Sequence, residues 1–218
     1  MAEIALSFDN GPHPEGTPRV LSVLARRDIR ATFFLVGRNL SDPDARGAAL
    51  TARDAGHWIG NHTMTHDVPL GIDPDPDAPR REIEEAQAAL GPLAHPDRLF
   101  RPFAKGELGP RLLSRRAVDH LLAGGYTCVL WTHVPGDYED HDGWPDRAMQ
   151  QVAAAEAAGR RHQLLVLHDA VPPAMRHLDA FLGRLADAGH DFRQDHPADC
   201  VPIRRGRLVG RLDGLVAA

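Results

Sequence analysis

The chain has 218 residues, 43% of them apolar, and a formal charge of -5, so it has room for one large domain with a substantial core. No stretch approaches the roughly 20 apolar residues of a membrane span, and the mild acidic excess is unlike the basic footprint of a nucleic-acid binder. Cys128 and Cys200 lie far apart and match no metal or redox spacing, which leaves buried, reduced thiols as the expectation.

Met1 to Asp9 has no basic region followed by an apolar one, so the expected location is cytoplasmic. In chain order, apolar runs that read as strands fall at residues 4–8, 31–36, 57–61, 99–102, 127–131, 164–167 and 190–193. Helical spacing lies between them, as in Val20-Val23-Leu24 and Phe181-Leu182-Leu185. Thr17-Pro18 reads as an N-cap followed by an N1 proline. Gly91-Pro92 closes a helix over 82–90, and Gly124 or Gly125 closes the one before Tyr126. Residues 71–79, rich in Pro and Asp, read as a surface loop, and the tail carries Arg204, Arg205, Arg207 and Arg211.

Strands alternating with helices predict an α/β fold with parallel strands. Seven units and no Gly-x-Gly-x-x-Gly after the first strand favour a distorted (β/α)7 barrel over a dinucleotide-binding sheet. The expected organisation is a single domain over 1–218, with 195–218 as a C-terminal extension.

Chemistry-bearing residues follow the apolar runs. Asp9 and Asn10 come after the first strand, His62 and His66 after the third, and Arg101 at the end of the fourth. Asp137 lies in the loop after the fifth, and His168 ends the sixth. In a parallel barrel the C-terminal strand ends converge on one face, where active sites are built. The i, i+4 spacing of His62 and His66 predicts two imidazoles on one side of a helical turn, suited to a divalent metal. With thirteen histidines in the chain such a pair alone says little; its place after a buried strand is what counts. Asp9-Asn10-Gly11-Pro12 by itself could be an ordinary turn. An inward arginine needs an anion, and Asp9 is the available one for Arg101. A histidine ending a run of four apolar residues suits acid–base work at His168.

Together these segments resemble the polysaccharide deacetylase family, the NodB-homology or carbohydrate esterase family 4 domain. Ser7-Phe8-Asp9-Asn10-Gly11-Pro12 is similar to its Thr-Phe-Asp-Asp-Gly-Pro motif, and His62-Thr63-Met64-Thr65-His66 fits His-(Ser/Thr)-x-x-His. Arg101-Pro102-Phe103, Trp131 through Asp137-Tyr138, and Leu165-Val166-Leu167-His168 resemble the third, fourth and fifth motifs.

The resemblance implies a hydrolase of carbon–nitrogen bonds other than peptide bonds. It would remove an acetyl group from a small N-acylated sugar or a related oligosaccharide by metal-assisted attack of water. Asp9 would be the base held by Arg101, and His168 the acid oriented by Asp137. His62, His66 and the residue at position 10 would hold zinc or another divalent metal. The Phe103 N–H would stabilise the oxyanion, with Trp131 and Tyr138 as walls. Position 10 is Asn where the family has Asp, and an amide oxygen is a poorer zinc ligand than a carboxylate. That substitution keeps open a metal-independent, allantoinase-like or formamide amidohydrolase. A third reading is a non-catalytic carbohydrate-binding domain. His133 is a further polar group near the pocket without an assigned role. No nucleic-acid or membrane partner is expected.

Overall fold

The computed structural model describes residues 1–217. Among them the order is β1 (Glu3–Asp9), α1 (Gly16–Arg26), β2 (Thr32–Leu35), α2 (Pro43–Asp54), β3 (Trp58–Asn61) and α3 (Ala86–Leu90). Next come β4 (Leu99–Phe100), α4 (Arg115–Ala123), β5 (Thr127–Cys128), α5 (Trp144–Ala157) and β6 (His162–His168). The chain ends with α6 (Pro172–Met175), α7 (Leu178–Asp187), β7 (Asp191–Arg193) and the short strands β8 (Ile203–Arg204) and β9 (Arg207–Leu208).

Each expected strand is present, the fourth and fifth cut to two residues each. Parallel pairing runs through β6-β1-β2-β3-β4-β5. The backbone beyond β5 then returns to β6, where His133 bridges Leu165 in parallel and the Val166 N–H donates to the His133 carbonyl at 3.0 Å. The sheet thus curls into a distorted (β/α) barrel joined at one seam by a single bridge. β7 adds no stave; it pairs with Glu3 to Ala5 of β1, beside the stretch of β1 that pairs with β2. The tail departs from the all-parallel expectation. β8 pairs antiparallel with β5 at Cys128 and Ile203 and then with β9, so the arginine-rich end extends the sheet.

β1 and β6 are buried at every position after their first, which is why their sequences run apolar instead of alternating. Inside the barrel Ala5, Phe34, Leu99, Val129, Leu164 and Cys200 form a small plug. Outside it, Val20 and Leu24 of α1 and Phe181, Leu182 and Leu185 of α7 pack on β1 and β6 in one larger core. Val118 and Leu121 of α4 pack with Phe100, Tyr126 and Ile203 in another.

Two helix starts differ from expectation. α1 begins at Gly16 with Glu15 as an N-cap that makes no side-chain bond. The Thr17 hydroxyl accepts from the His13 N–H at 2.8 Å and donates to the buried carboxylate of Asp169, so it is engaged elsewhere. The helix expected over 82–90 opens two residues earlier, as a π-helical turn over Arg80–Glu85 leading into α3. Residues 78 and 79 are already helical ahead of that turn, so the expected 71–79 loop is cut to 71–77. That wider turn places the buried Glu82 carboxylate against the backbone after β3.

Candidate active site

The parallel register does most of the positioning. Asp9 and His168 are direct partners across β1 and β6, and Asp9 is paired on its other side with Phe34 of β2. Arg101 follows β4, and its N–H donates to the Asn61 carbonyl at 2.8 Å, which carries the guanidinium into the barrel interior. There it is fully buried. One amino group donates to Asp9 Oδ1 and Ser7 Oγ, both at 2.7 Å, while Nε–H and the other amino group donate to the Val129 and Leu130 carbonyls, each at 3.2 Å. The guanidinium carbon lies 4.0 Å from the Phe34 ring centre. Gly60 makes room for that ring, since a Cβ there would sit 2.5 Å from it.

His62 and His66 do not sit on a helical turn. They flank a loop in which Thr63 and His66 take φ of 67° and 59°. Side chains hold this conformation, which non-glycine residues seldom adopt. Asn61 Oδ1 accepts from the Thr63 N–H at 2.9 Å, and Thr63 Oγ1 from the His66 N–H at 3.1 Å. Glu82 accepts from the Met64 and Thr65 N–H groups at 3.1 and 2.9 Å. The two imidazoles come together all the same, with ring centres 4.9 Å apart. His62 Nδ1 bonds the Arg101 carbonyl at 3.0 Å, which fixes the donor tautomer there and leaves Nε2 with its lone pair, 3.6 Å from Asp9 Oδ2. The His66 ring lies against Phe103, tilted by 38° with the centres 3.8 Å apart.

Electrostatics separate the three histidines. Burial pushes the His62 imidazole down, with Asp9 working against it. Burial, together with the His62, His168 and Arg38 charges, pushes His66 down to about 2. Both rings are therefore neutral near pH 7 and able to ligate a cation. Burial also opposes charge on His168, but the hydrogen bond and charge of Asp137, with Asp9 and Asp169, outweigh it and raise this imidazole above its ordinary value. Asp137 holds it with both oxygens, one at 2.8 Å from Nδ1 and one at 2.8 Å from the backbone N–H. Tyr138 meets the His168 ring edge to face at 4.9 Å.

Asp9, Asn10, His62, His66 and His168 line one cavity of about 390 Å³. Phe103, Trp131 and Tyr138 supply its aromatic walls. The cavity thus gathers residues from five strand ends. Asn10 has φ 71°, and its Oδ1 is buried without a hydrogen-bond partner. Among the described residues no three His, Cys, Asp or Glu side chains are grouped to hold a metal. The set that remains is two neutral imidazoles and the orphaned amide oxygen.

The family model for polysaccharide deacetylases matches residues 2–111. The chain is 30% identical to a chitooligosaccharide deacetylase of Rhizobium leguminosarum bv. phaseoli, covering 85% of this chain and 87% of that protein. The chain belongs to the polysaccharide deacetylase family. It is accordingly a hydrolase acting on carbon–nitrogen bonds other than peptide bonds. A peptidoglycan-N-acetylglucosamine deacetylase of Bacillus cereus is 27% identical over 91% of this chain and 71% of its own length. Among solved structures, a family 4 acetyl xylan esterase from Clostridium thermocellum, in complex with a cobalt ion, superposes with a TM-score of 0.68 at 26% identity. That match covers 88% of this chain and 87% of the esterase.

Several groups in this polysaccharide deacetylase carried no signal in the sequence reading. Ser7 shares an Arg101 amino group with Asp9, and Glu82 shapes the imidazole loop from a distant helical turn. Asp169, next to His168, is fully buried, its Oδ1 unpartnered, and burial pushes its carboxyl up to about 7. A Cβ on Gly11 would lie 2.5 Å from that carboxylate, so only glycine lets the turn after Asn10 pass it. His133 points away from the cavity and bonds Gln163 Oε1 at 2.7 Å, which gives it a packing role under α5. Lys105 and Glu139 also line the cavity; the first could have been noticed, as the sole lysine of the chain, directly after Arg101-Pro102-Phe103.

Proposed function

We propose that this chain removes the acetyl group from the amide nitrogen of an N-acetylated amino sugar within an oligosaccharide. The observation that carries the reading is the side-by-side placement of Asp9 and His168 across β1 and β6, each held by its own charged partner. Asp9 takes the proton of a water as its oxygen adds to the acyl carbon. His168 carries the proton needed by the departing nitrogen and delivers it as the carbon–nitrogen bond breaks. Acetate and a free amine are the products. Arg101 keeps Asp9 turned into the cavity, Asp137 keeps His168 charged and oriented, and the Phe103 N–H serves the developing oxyanion. Trp131 and Tyr138 form the walls against which a sugar ring packs.

The residues present suit a divalent ion. His62 and His66 are neutral, and the buried Asn10 Oδ1 lacks any other partner. These three would hold it, and when bound it would polarise the acyl carbonyl and the water. The deacetylase reading is preferred to a ureide hydrolase or a silent binding domain because the relatives named above are sugar deacetylases and the base, the acid and both their partners are in place. The test is acetate release from di-N-acetylchitobiose and longer N-acetylated chito-oligomers. The protein would be stripped with chelator and then supplied with zinc or cobalt. Turnover of none of these, with either metal, would remove the proposal.

A further inference from the structure

Arg101 aims Asp9 and Asp137 aims His168, but the amide oxygen of Asn10 is buried without a partner. Its direction is therefore set by the backbone that carries it. That backbone has φ 71°, in the left-handed region where non-glycine residues seldom rest. A contact from outside the residue has to keep it there.

β1 and β2 end side by side, with Asp9 paired to Phe34. The helical turn that follows β2, Gly37–Ser41, is thereby brought to the turn that follows β1. From it the Asn39 side chain donates to the Asn10 carbonyl at 2.8 Å and to the Gly11 carbonyl at 3.3 Å. The Val36 N–H donates to the same Gly11 carbonyl at 2.8 Å. Both acceptors of Asn39 are carbonyl oxygens, so only the NH2 end of its amide can face them. Gly11 in turn packs on the buried Asp169 carboxylate beyond β6, and the turn is confined there as well. Asn39 is half-buried and does not line the cavity. It meets the chemistry only through these two carbonyls.

We infer that Asn39 is a positioning residue of this site: by holding the Asn10 and Gly11 carbonyls it aims the Asn10 amide oxygen into the space shared with His62 and His66. This rests on the reading of those three groups as the holders of a divalent ion. A neutral amide oxygen attracts such an ion less than a carboxylate does, so its usefulness depends on being held in place beforehand.

The probe is cobalt(II), titrated into the chelator-stripped, full-length protein in competition with a chromogenic chelator. Asn39→Ala removes the donor, and Asn39→Asp keeps the shape but turns an acceptor toward two carbonyls. Each should weaken cobalt binding about 10- to 100-fold, the range for losing a group that orients a metal ligand. The negative charge of Asn39→Asp would by itself tighten cobalt, so a loss there is not electrostatic. Asn39→Gln keeps the donor on a longer stem and should lose less; it carries the same comparison if the other variants do not fold. The deciding step repeats Asn39→Ala in an Asn10→Gly chain, where the left-handed turn is unstrained and there is no amide to aim. There the loss should shrink below about twofold, because the two residues act through one contact. Equal affinity in the parent and Asn39→Ala, the same loss in both backgrounds, or a parent that binds no cobalt overturns the inference. Binding and turnover fail separately. Cobalt affinity that depends on Asn39 through Asn10, without acetate release, sinks the deacetylase reading alone. Acetate release with cobalt affinity indifferent to Asn39 sinks this inference alone.

Discussion

Asp9 and His168 occupy directly opposed positions on the parallel strands β1 and β6, and both face the same cavity. Neighbouring strands lie about 4.8 Å apart, so the sheet itself sets the spacing between these two groups. Asp9→Asn and His168→Gln should each lower kcat by about 10²- to 10⁴-fold. The double variant should lose little beyond the worse single one, because groups that serve one transition state are not additive. Steady-state kinetics on a chito-oligomer would measure this; fully multiplicative losses would mean that the two act in separate steps.

Arg101 is wholly enclosed, and Asp9 nearly so. Arg101→Met leaves the Asp9 carboxylate interred without its counter-charge, which costs about 3–5 kcal/mol. Urea unfolding should show that loss. A change below about 1 kcal/mol would mean that solvent or another cation reaches Asp9.

The elevated His168 imidazole makes a prediction with a definite sign. A histidine raised above its unfolded value of 6.5 adds stability that is complete below that value and lost as pH rises through the folded one. Asp137→Asn removes the hydrogen bond and charge that raise it, leaving burial to dominate. The His168 ring resonance should then titrate at lower pH by NMR, and the alkaline limb of the rate profile should follow. An unmoved titration would show that Asp137 acts by packing alone.

Replacing Asn10 by Asp adds one negative charge beside two neutral imidazoles. Zinc affinity should tighten by about 10- to 100-fold, as a charge a few ångströms from the ion implies even in a polar site. Competition with a chromogenic chelator would read it. Equal affinity in parent and Asn10→Asp would place the cation away from this side chain.

Asp169 behaves oppositely to a paired carboxylate. Its folded value of about 7 exceeds the unfolded 3.8, so the unfolded state holds fewer protons between them and stability falls as pH rises across that window. Asp169→Asn mimics the protonated form. Its stability relative to the parent should increase from pH 4 to pH 7 by a few kcal/mol and then level off. Chemical denaturation at several pH values would follow this, and a constant difference would contradict it.

The barrel was legible because β1 and β6, buried on both faces, are written as unbroken apolar runs, and the polar residues closing them can only emerge at the strand ends. The imidazole pair was placed correctly and shaped wrongly. A spacing of four suits one turn of helix, but two residues with positive φ bring the rings together just as well, and that alternative depends on Asn61 and Glu82. Ser7 and Glu82 were illegible for the same reason. Their partners lie 94 and 17 or 18 residues away, and no local pattern encodes such a contact. Thr17 was misread because its hydroxyl, which as an N-cap would accept from a helix N–H, instead accepts from His13 and donates to Asp169, 152 residues away.

The Glu82 contact also bears on how the family can diversify. The support for His62 and His66 comes from behind the loop, on the side away from the cavity. The stretch between His66 and the helical turn at Arg80 can therefore lengthen, shorten or change composition while the imidazoles keep their places. Descendants of such a chain could reshape that stretch of surface without having to rebuild the imidazole pair.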